Sequence, residues 1–208
     1  MTNTIYIVRH GQTEWNLLGK TQGHGNSDLT PKGIEQAELL ADSMTKYPID
    51  YIYSSDLGRA YQTAEIIGNK LNIEVEKTEA LREMNFGTWE GRIIKDIIEE
   101  DPELYKMWRN EPHLAKIPQG ETLSQIKERT DAFIKEINEK YDGKHIVLVT
   151  HSLCARIMLL SFLDSDVKNI YRINQANTAL NIIELRDYGP VVMKMNDTTH
   201  IIDRKSVV

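Results

Sequence analysis

The sequence predicts an α/β fold: a three-layer α/β/α sandwich with a largely parallel central sheet and a small inserted helical lid. Three observations predict it. Short β-branched runs alternate with amphipathic stretches of helical period, the pattern of strands joined by crossover helices. The run His145–Val149 is apolar after its first residue, as suits a strand covered on both faces. Between 92 and 120 the alternation gives way to an aromatic and charged stretch broken by Pro102, Pro112 and Pro118, which reads as a helical lid inserted into one domain spanning 1–208.

Each element follows from local chemistry. Ile5–Val8 is a short β-branched and aromatic strand that ends before Gly11. Thr30 and Pro31 open a helix as N-cap and first helical residue. Its apolar face is Ile34, Ala37, Leu40, Ala41 and Met44, and Pro48 stops it. Tyr51–Tyr53 is a second strand, after which Ser55 or Asp56 caps a helix carrying Ala60, Thr63, Ala64 and Ile67. Ile73–Val75 is a third short strand. A long helix runs from about Thr122 to Tyr141 with Ile126, Phe133, Ile134 and Ile137 on one side, and Gly143 ends it. Two last strands near Ala179–Leu185 and Val191–Met195 flank the turn Asp187–Pro190 and form a hairpin.

Composition narrows the function. The chain has 208 residues, 40% hydrophobic and 27% charged, which is long enough and apolar enough for a full core. A formal net charge of −6 argues against nucleic acid or an anionic membrane as partner. An anionic ligand must then be met by a local basic cluster. The single cysteine, Cys154, excludes an intramolecular disulfide and a cysteine-based zinc site. No leader pattern opens the chain and no apolar run approaches the ~18–20 residues of a membrane span. The expected protein is cytoplasmic, without metal or cofactor, and a homodimer is compatible with it.

In an open parallel sheet, ligands bind beyond the carboxyl ends of the strands. That rule gathers three distant segments at one edge. The first brings Arg9 and His10, then Asn16, Gln22 and Gly23. The second brings Arg59, one turn into its helix, and the third brings His151 and Ser152 at a helix start. Two arginines, two histidines and several amide donors suit a dianionic phosphoryl group, since arginine matches phosphate oxygens in pairs and a helix N-terminus adds oriented N–H groups. Nearby cations keep His10 neutral, with a lone pair able to attack phosphorus.

These residues resemble the signature of the histidine phosphatase superfamily, the phosphoglycerate mutase-like proteins. Arg9-His10-Gly11-Gln12-Thr13-Glu14-Trp15-Asn16 carries the likeness first. Gln22-Gly23-His24, Leu29–Gly33, Ser54–Ala60 with Gln62–Ala64, Leu81-Arg82-Glu83, Phe86–Gly91, Gly120–Thr122, Val149–Ser152 and Asn177-Thr178 follow in the family's order. The resemblance implies that His10 is the phosphorylated nucleophile and Glu83 the acid and base. It implies that Arg9, Arg59 and His151 hold the phosphoryl oxygens, completed by Asn16, Gln22, the Gly23 amide and the amide of Ser152. Ser152 stands where the family more often has glycine, which keeps the backbone N–H. The implied partner is a small phosphorylated metabolite. The lid keeps one arginine, Arg109, followed by Asn110, where the mutases carry a pair. This favours a phosphatase over the alternative, a cofactor-dependent phosphoglycerate mutase; a non-catalytic phospholigand receptor stands third.

Rival motifs fall short. Gly19-Lys20-Thr21 lacks the earlier glycine of a phosphate-binding P-loop, because Glu14 occupies that position. Asp164 and Asp166 follow Ile157–Leu163, which continues the helix after His151, instead of a strand, and Cys154 and Arg156 are too close for a cysteine phosphatase loop. Trp89, Tyr105 and Trp108 either line the entrance or pack the lid. His24, His113, His145 and His200 read as ordinary polar residues, and Cys154 as a small core residue.

Overall fold

A computed structural model of the chain describes residues 2–202; Met1 and positions 203–208 lie outside it, and with them the two ends of the expected 1–208 domain. The chain runs β1 (Asn3–Arg9), α1 (Glu14–Leu17), α2 (Pro31–Met44), β2 (Tyr51–Ser55), α3 (Gly58–Leu71) and β3 (Val75–Thr78). It continues through α4 (Ile94–Glu100), α5 (Pro102–Asn110), α6 (Leu123–Lys140), β4 (His145–Thr150), α7 (Ser152–Phe162), β5 (Leu180–Arg186), β6 (Gly189–Asp197) and α8 (Thr199–Ile202).

The six strands form one sheet in the order β3-β2-β4-β1-β5-β6. β1, β2, β3 and β4 are mutually parallel where they pair, and the β5–β6 hairpin adds antiparallel to the edge of β1. Side chains alternate across the sheet, and this builds two cores. Ile5, Ile7, Ile146 and Leu148 face α6 and α7, where Ile126, Phe133, Ile137 and Met158 meet them. Tyr6, Val8, Val147 and Val149 face α2 and α3, where Leu40, Ala41, Met44, Ala64 and Ile67 close the other layer. Burial on both faces is why β1 and β4 read as unbroken apolar runs.

The caps of α2 and α6 follow their sequence. Thr30 accepts the Gly33 N–H with Pro31 in the first turn, and Thr122 forms a reciprocal capping box with Gln125. Several boundaries differ from expectation. α2 ends at Met44, four residues before Pro48. α3 starts at Gly58 with Leu57 as N-cap and no side-chain cap, because Ser55 is bonded to His151 and Asp56 to Arg82. β3 begins at Val75, not Ile73, because left-handed Asn72 (φ 56°) and the bond from Ile73 N–H to Gly68 carbonyl keep 72–74 in the turn. The hairpin turn shrinks to Asp187-Tyr188, and Gly189 and Pro190 join the edge strand, where proline removes no interior bond. The lid region holds α4 and α5, divided at Asp101-Pro102.

Candidate active site

The sheet order sets β1, β2 and β4 side by side, so their carboxyl ends deliver Arg9-His10, Ser55 and Thr150-His151 to one place. The antiparallel β5 begins there too: Thr178 N–H bonds the Arg9 carbonyl at 3.1 Å, and the Asn177 side chain donates to the His10 carbonyl at 3.1 Å. A cavity of about 240 Å³ opens above this edge. Arg9, His10, Asn16, Gln22, Gly23, Arg59, Glu83 and Ser152 all line it. His151 is fully buried next to them, its ring 5.2 Å from that of His10.

His10 has a defined lone pair. Its Nδ1 lies 2.7 Å from the Gly11 carbonyl, which only accepts, so Nδ1 carries the proton and Nε2 is left basic. Arg59 Nε–H donates to that Nε2 at 3.3 Å. The loop that holds the ring fits only without a side chain, since a Cβ on Gly11 would meet the Gly33 carbonyl oxygen at 2.4 Å. Burial, reinforced by Arg59 and Arg9, holds the His10 imidazole well below its ordinary titration range. His151 is held down by burial, Arg59, His10 and Arg9 in turn. Its Nε2 is 2.8 Å from Ser55 Oγ, which also accepts the Leu57 N–H at 3.3 Å.

Both arginines are anchored on main-chain carbonyls. Arg9 donates to Gln175 at 2.7 Å, and Arg59 to Gly23 at 2.7 Å and Gly25 at 2.9 Å. Burial draws each guanidinium down to about 10, so both stay charged at neutral pH. Three buried polar atoms of the cluster, Arg9 Nε, Gln22 Oε1 and His151 Nδ1, have no hydrogen-bond partner. Each such atom costs about 1–3 kcal/mol, and their concentration here marks a site built to meet a polar ligand.

Glu83 is buried, and its carboxylate sits on the start of α7. Oε2 accepts the Leu153 N–H at 3.2 Å, and Oε1 accepts those of Cys154 at 3.2 Å and Met84 at 3.1 Å. A negative group at a helix N-terminus is favourable. Behind it, Arg129 donates to the carbonyls of Ala80, Arg82 and Glu83 and pairs with Glu121, so residues 80–83 are pinned from below.

Other expectations resolve as follows. Trp89 and Trp108 do both jobs left open above: they are buried in the main core and line the cavity beside Tyr105. His145 bonds Tyr6 and His200 bonds Thr178, both outside the cavity. His24 stands nearer the chemistry than an ordinary polar residue, its Nε2 3.0 Å from the Glu83 carbonyl. Burial pushes the Cys154 thiol up to about 11, as expected of an inert core residue. Lys20 lines the cavity without any P-loop helix after it. A larger hollow of about 420 Å³ between α6 and the hairpin contains no histidine, and its Lys127 and Asp131 are already paired. Among the described residues no group of three or more His, Cys, Asp or Glu could hold a metal ion, and no helix is long and apolar enough to cross a membrane.

Comparison with known proteins agrees with this geometry. The family model of the histidine phosphatase superfamily (branch 1) matches residues 5–198. The chain belongs to that superfamily. Phosphoserine phosphatase 1 of Hydrogenobacter thermophilus is 32% identical over 197 residues, covering 95% of this chain and 93% of that one. "Probable phosphoglycerate mutase GpmB" of Yersinia pestis is also 32% identical, over 202 residues, covering 95% and 94%. The structure of Bacillus stearothermophilus YhfR superposes with a TM-score of 0.92 at 30% identity, covering 96% of this chain and 99% of that one. As a histidine phosphatase superfamily member the chain is a phosphomonoesterase with a three-layer α/β fold.

The buried histidines give a stability prediction. Folding makes His10, His151 and, less deeply buried, His200 harder to protonate than unfolded histidine, which titrates near ~6.5. Below that pH the unfolded chain binds protons that the native chain refuses. Stability is therefore fully present above ~6.5 and declines as pH falls, by up to ~1.4 kcal/mol per pH unit per ring. Urea unfolding at pH 5.5 should show about 1–3 kcal/mol less stability than at pH 7.5, with a smaller difference in His10→Gln. Equal stability at the two pH values would contradict the buried neutral rings.

Proposed function

We propose that the protein hydrolyses small-molecule phosphomonoesters through a phosphohistidine on His10, with Glu83 as acid and then base. The observation that carries this reading is the Nδ1 bond of His10 to the Gly11 carbonyl, which leaves Nε2 unprotonated in a residue that lines the cavity, its lone pair met only by the Arg59 Nε–H at 3.3 Å. In the first step Nε2 bonds to phosphorus as the ester P–O bond breaks, and Glu83 gives its proton to the departing alkoxide oxygen. Arg9 and Arg59, charged and anchored beside the ring, meet the equatorial oxygens, with the Nδ1–H of His151 and the amides of Gly23 and Ser152. Asn16 and Gln22 complete the cradle; a half-turn of the Gln22 amide presents its nitrogen as a donor. In the second step Glu83, now ionised, takes a proton from water while the water oxygen bonds to phosphorus. The P–Nε2 bond breaks, inorganic phosphate leaves, and His10 is neutral again.

Beyond the cradle the cavity wall is aromatic, formed by Phe86, Trp89, Tyr105, Trp108 and Tyr171, with Arg109 4.2 Å over the Tyr171 ring. This suits a compact phosphorylated metabolite whose organic part packs on the aromatic wall. The mutase reading is favoured by the GpmB relative, equal in identity to the phosphatase. Against it, a mutase must retain a bisphosphorylated intermediate while it reorients, which calls for added cationic contacts. Here Asn110, which follows Arg109, ends α5.

A phosphorus NMR time course decides between them. With 3-phosphoglycerate, phosphoserine and p-nitrophenyl phosphate, and a trace of 2,3-bisphosphoglycerate in the first, free phosphate is the expected product. Rapid formation of 2-phosphoglycerate without free phosphate would move the protein to the isomerases.

A further inference from the structure

We propose that Glu90 is a positioning residue for phosphoryl transfer, tying the loop that anchors Arg59 to the segment that carries Glu83. The inference rests on the phosphatase reading of the same site. Glu90 Oε1 accepts the His24 N–H at 2.8 Å and the Phe86 N–H at 3.0 Å, and Oε2 accepts the Gly25 N–H at 3.1 Å. One carboxylate thus joins two stretches of chain about 60 residues apart in sequence, each of which lines the cavity.

The decisive detail is a shared peptide unit. The His24 N–H that points to Glu90 and the Gly23 carbonyl that receives Arg59 Nη2 at 2.7 Å belong to the same amide. That amide lies between an anion and a cation, donating to one and accepting from the other. Each bond polarises the amide in favour of the other. The loop is shaped for this contact. Gly23 adopts φ +55°, and a Cβ there would fall 2.0 Å from Glu90 Oε1, so only glycine lets the peptide approach the carboxylate. On its other side, the bond to Phe86 N–H fixes the chain three residues beyond Glu83, whose carbonyl also meets the His24 ring at 3.0 Å. Glu90 touches neither phosphorus nor the leaving group in the proposed reaction. It sets where Arg59 and Glu83 stand.

The test combines binding, kinetics and stability. In Glu90→Ala, orthovanadate affinity measured by calorimetry and kcat/KM for p-nitrophenyl phosphate should both fall about 10–100-fold. Glu90→Gln keeps a carbonyl oxygen for two of the three N–H donors and should lie within about fivefold of wild type. Ile137→Val, a buried change on α6, serves as control, lowering Tm without altering vanadate affinity. Where Glu90→Ala does not fold, Glu90→Gln carries the test. Its Gly25 amide should exchange faster with solvent, and vanadate should bind about two- to fivefold more weakly.

A folded Glu90→Ala within about twofold of wild type on both measures would overturn the proposal, as would a Glu90→Gln no better than alanine or with wild-type vanadate affinity. A wild-type chain that binds vanadate but frees phosphate from no ester would refute the phosphatase reading instead, and the vanadate comparison would still decide the role of Glu90.

Discussion

His10→Ala should lose at least about 10⁴-fold in turnover, a barrier increase of roughly 5–6 kcal/mol. In the proposed reaction the imidazole is the group that splits transfer into two steps, its Nε2 left unprotonated because Nδ1 is bonded to the Gly11 carbonyl. Folding should survive, since alanine relieves a buried polar ring whose charged form is disfavoured. The direct measurement is rapid acid-free quenching followed by mass spectrometry. An acid-labile phosphoryl group on residue 10 is expected in wild type and absent from the variant. Near-normal turnover by His10→Ala, or a label elsewhere, would end the phosphohistidine mechanism.

The second large effect is expected at Glu83→Gln, about 10²–10⁴-fold, with the size set by the leaving group. An alkyl alkoxide needs a proton as the P–O bond breaks, whereas p-nitrophenolate departs without one. Phosphoserine turnover should therefore fall much further than p-nitrophenyl phosphate turnover in the first half-reaction. The glutamine also turns an amide nitrogen towards at least one of the N–H groups that Glu83 accepts, those of Leu153 and Cys154 at the start of α7 and that of Met84, so an acceptor is lost there. Measuring Tm alongside the rates separates this from chemistry. Equal losses for both substrates would show that Glu83 holds α7 in place and protonates nothing.

The parts legible in the sequence are those that depend on near neighbours. Thr30 and Pro31 act within one helical turn, and they appear as read. The alternation that buries Ile5 and Ile7 on one face and Tyr6 and Val8 on the other is likewise local. The cluster at the sheet edge was reachable because the topology rule needs only strand order, and the motifs named its members. What stayed hidden depends on partners 50 to 100 residues away. Ser55 read as a helix cap and instead serves His151, 96 positions on. Arg129 carries no pattern that separates it from other charged residues on the chain, and Glu90 was legible only as a member of the Phe86–Gly91 block, without a role. Their importance comes from backbone groups that only the folded chain brings within reach.

The place of β1 in the sheet has a consequence for how the protein is made. β1, which carries His10, precedes every other strand of the sheet in the chain, yet both its neighbours, β4 and β5, are drawn from the last third of the 208 residues. At ordinary synthesis rates β1 waits on the order of 10–40 s before residue 186 exists to complete its pairing. Until β4 exists the apolar ribbon Ile5 to Val8 has both hydrogen-bonding edges open, and its Ile5 and Ile7 face lacks the cover of α6 and α7, the condition in which nascent chains associate wrongly. The centre of the finished enzyme is thus the most vulnerable piece of the unfinished one. Its safe arrival depends on whatever shields β1 until the hairpin is complete.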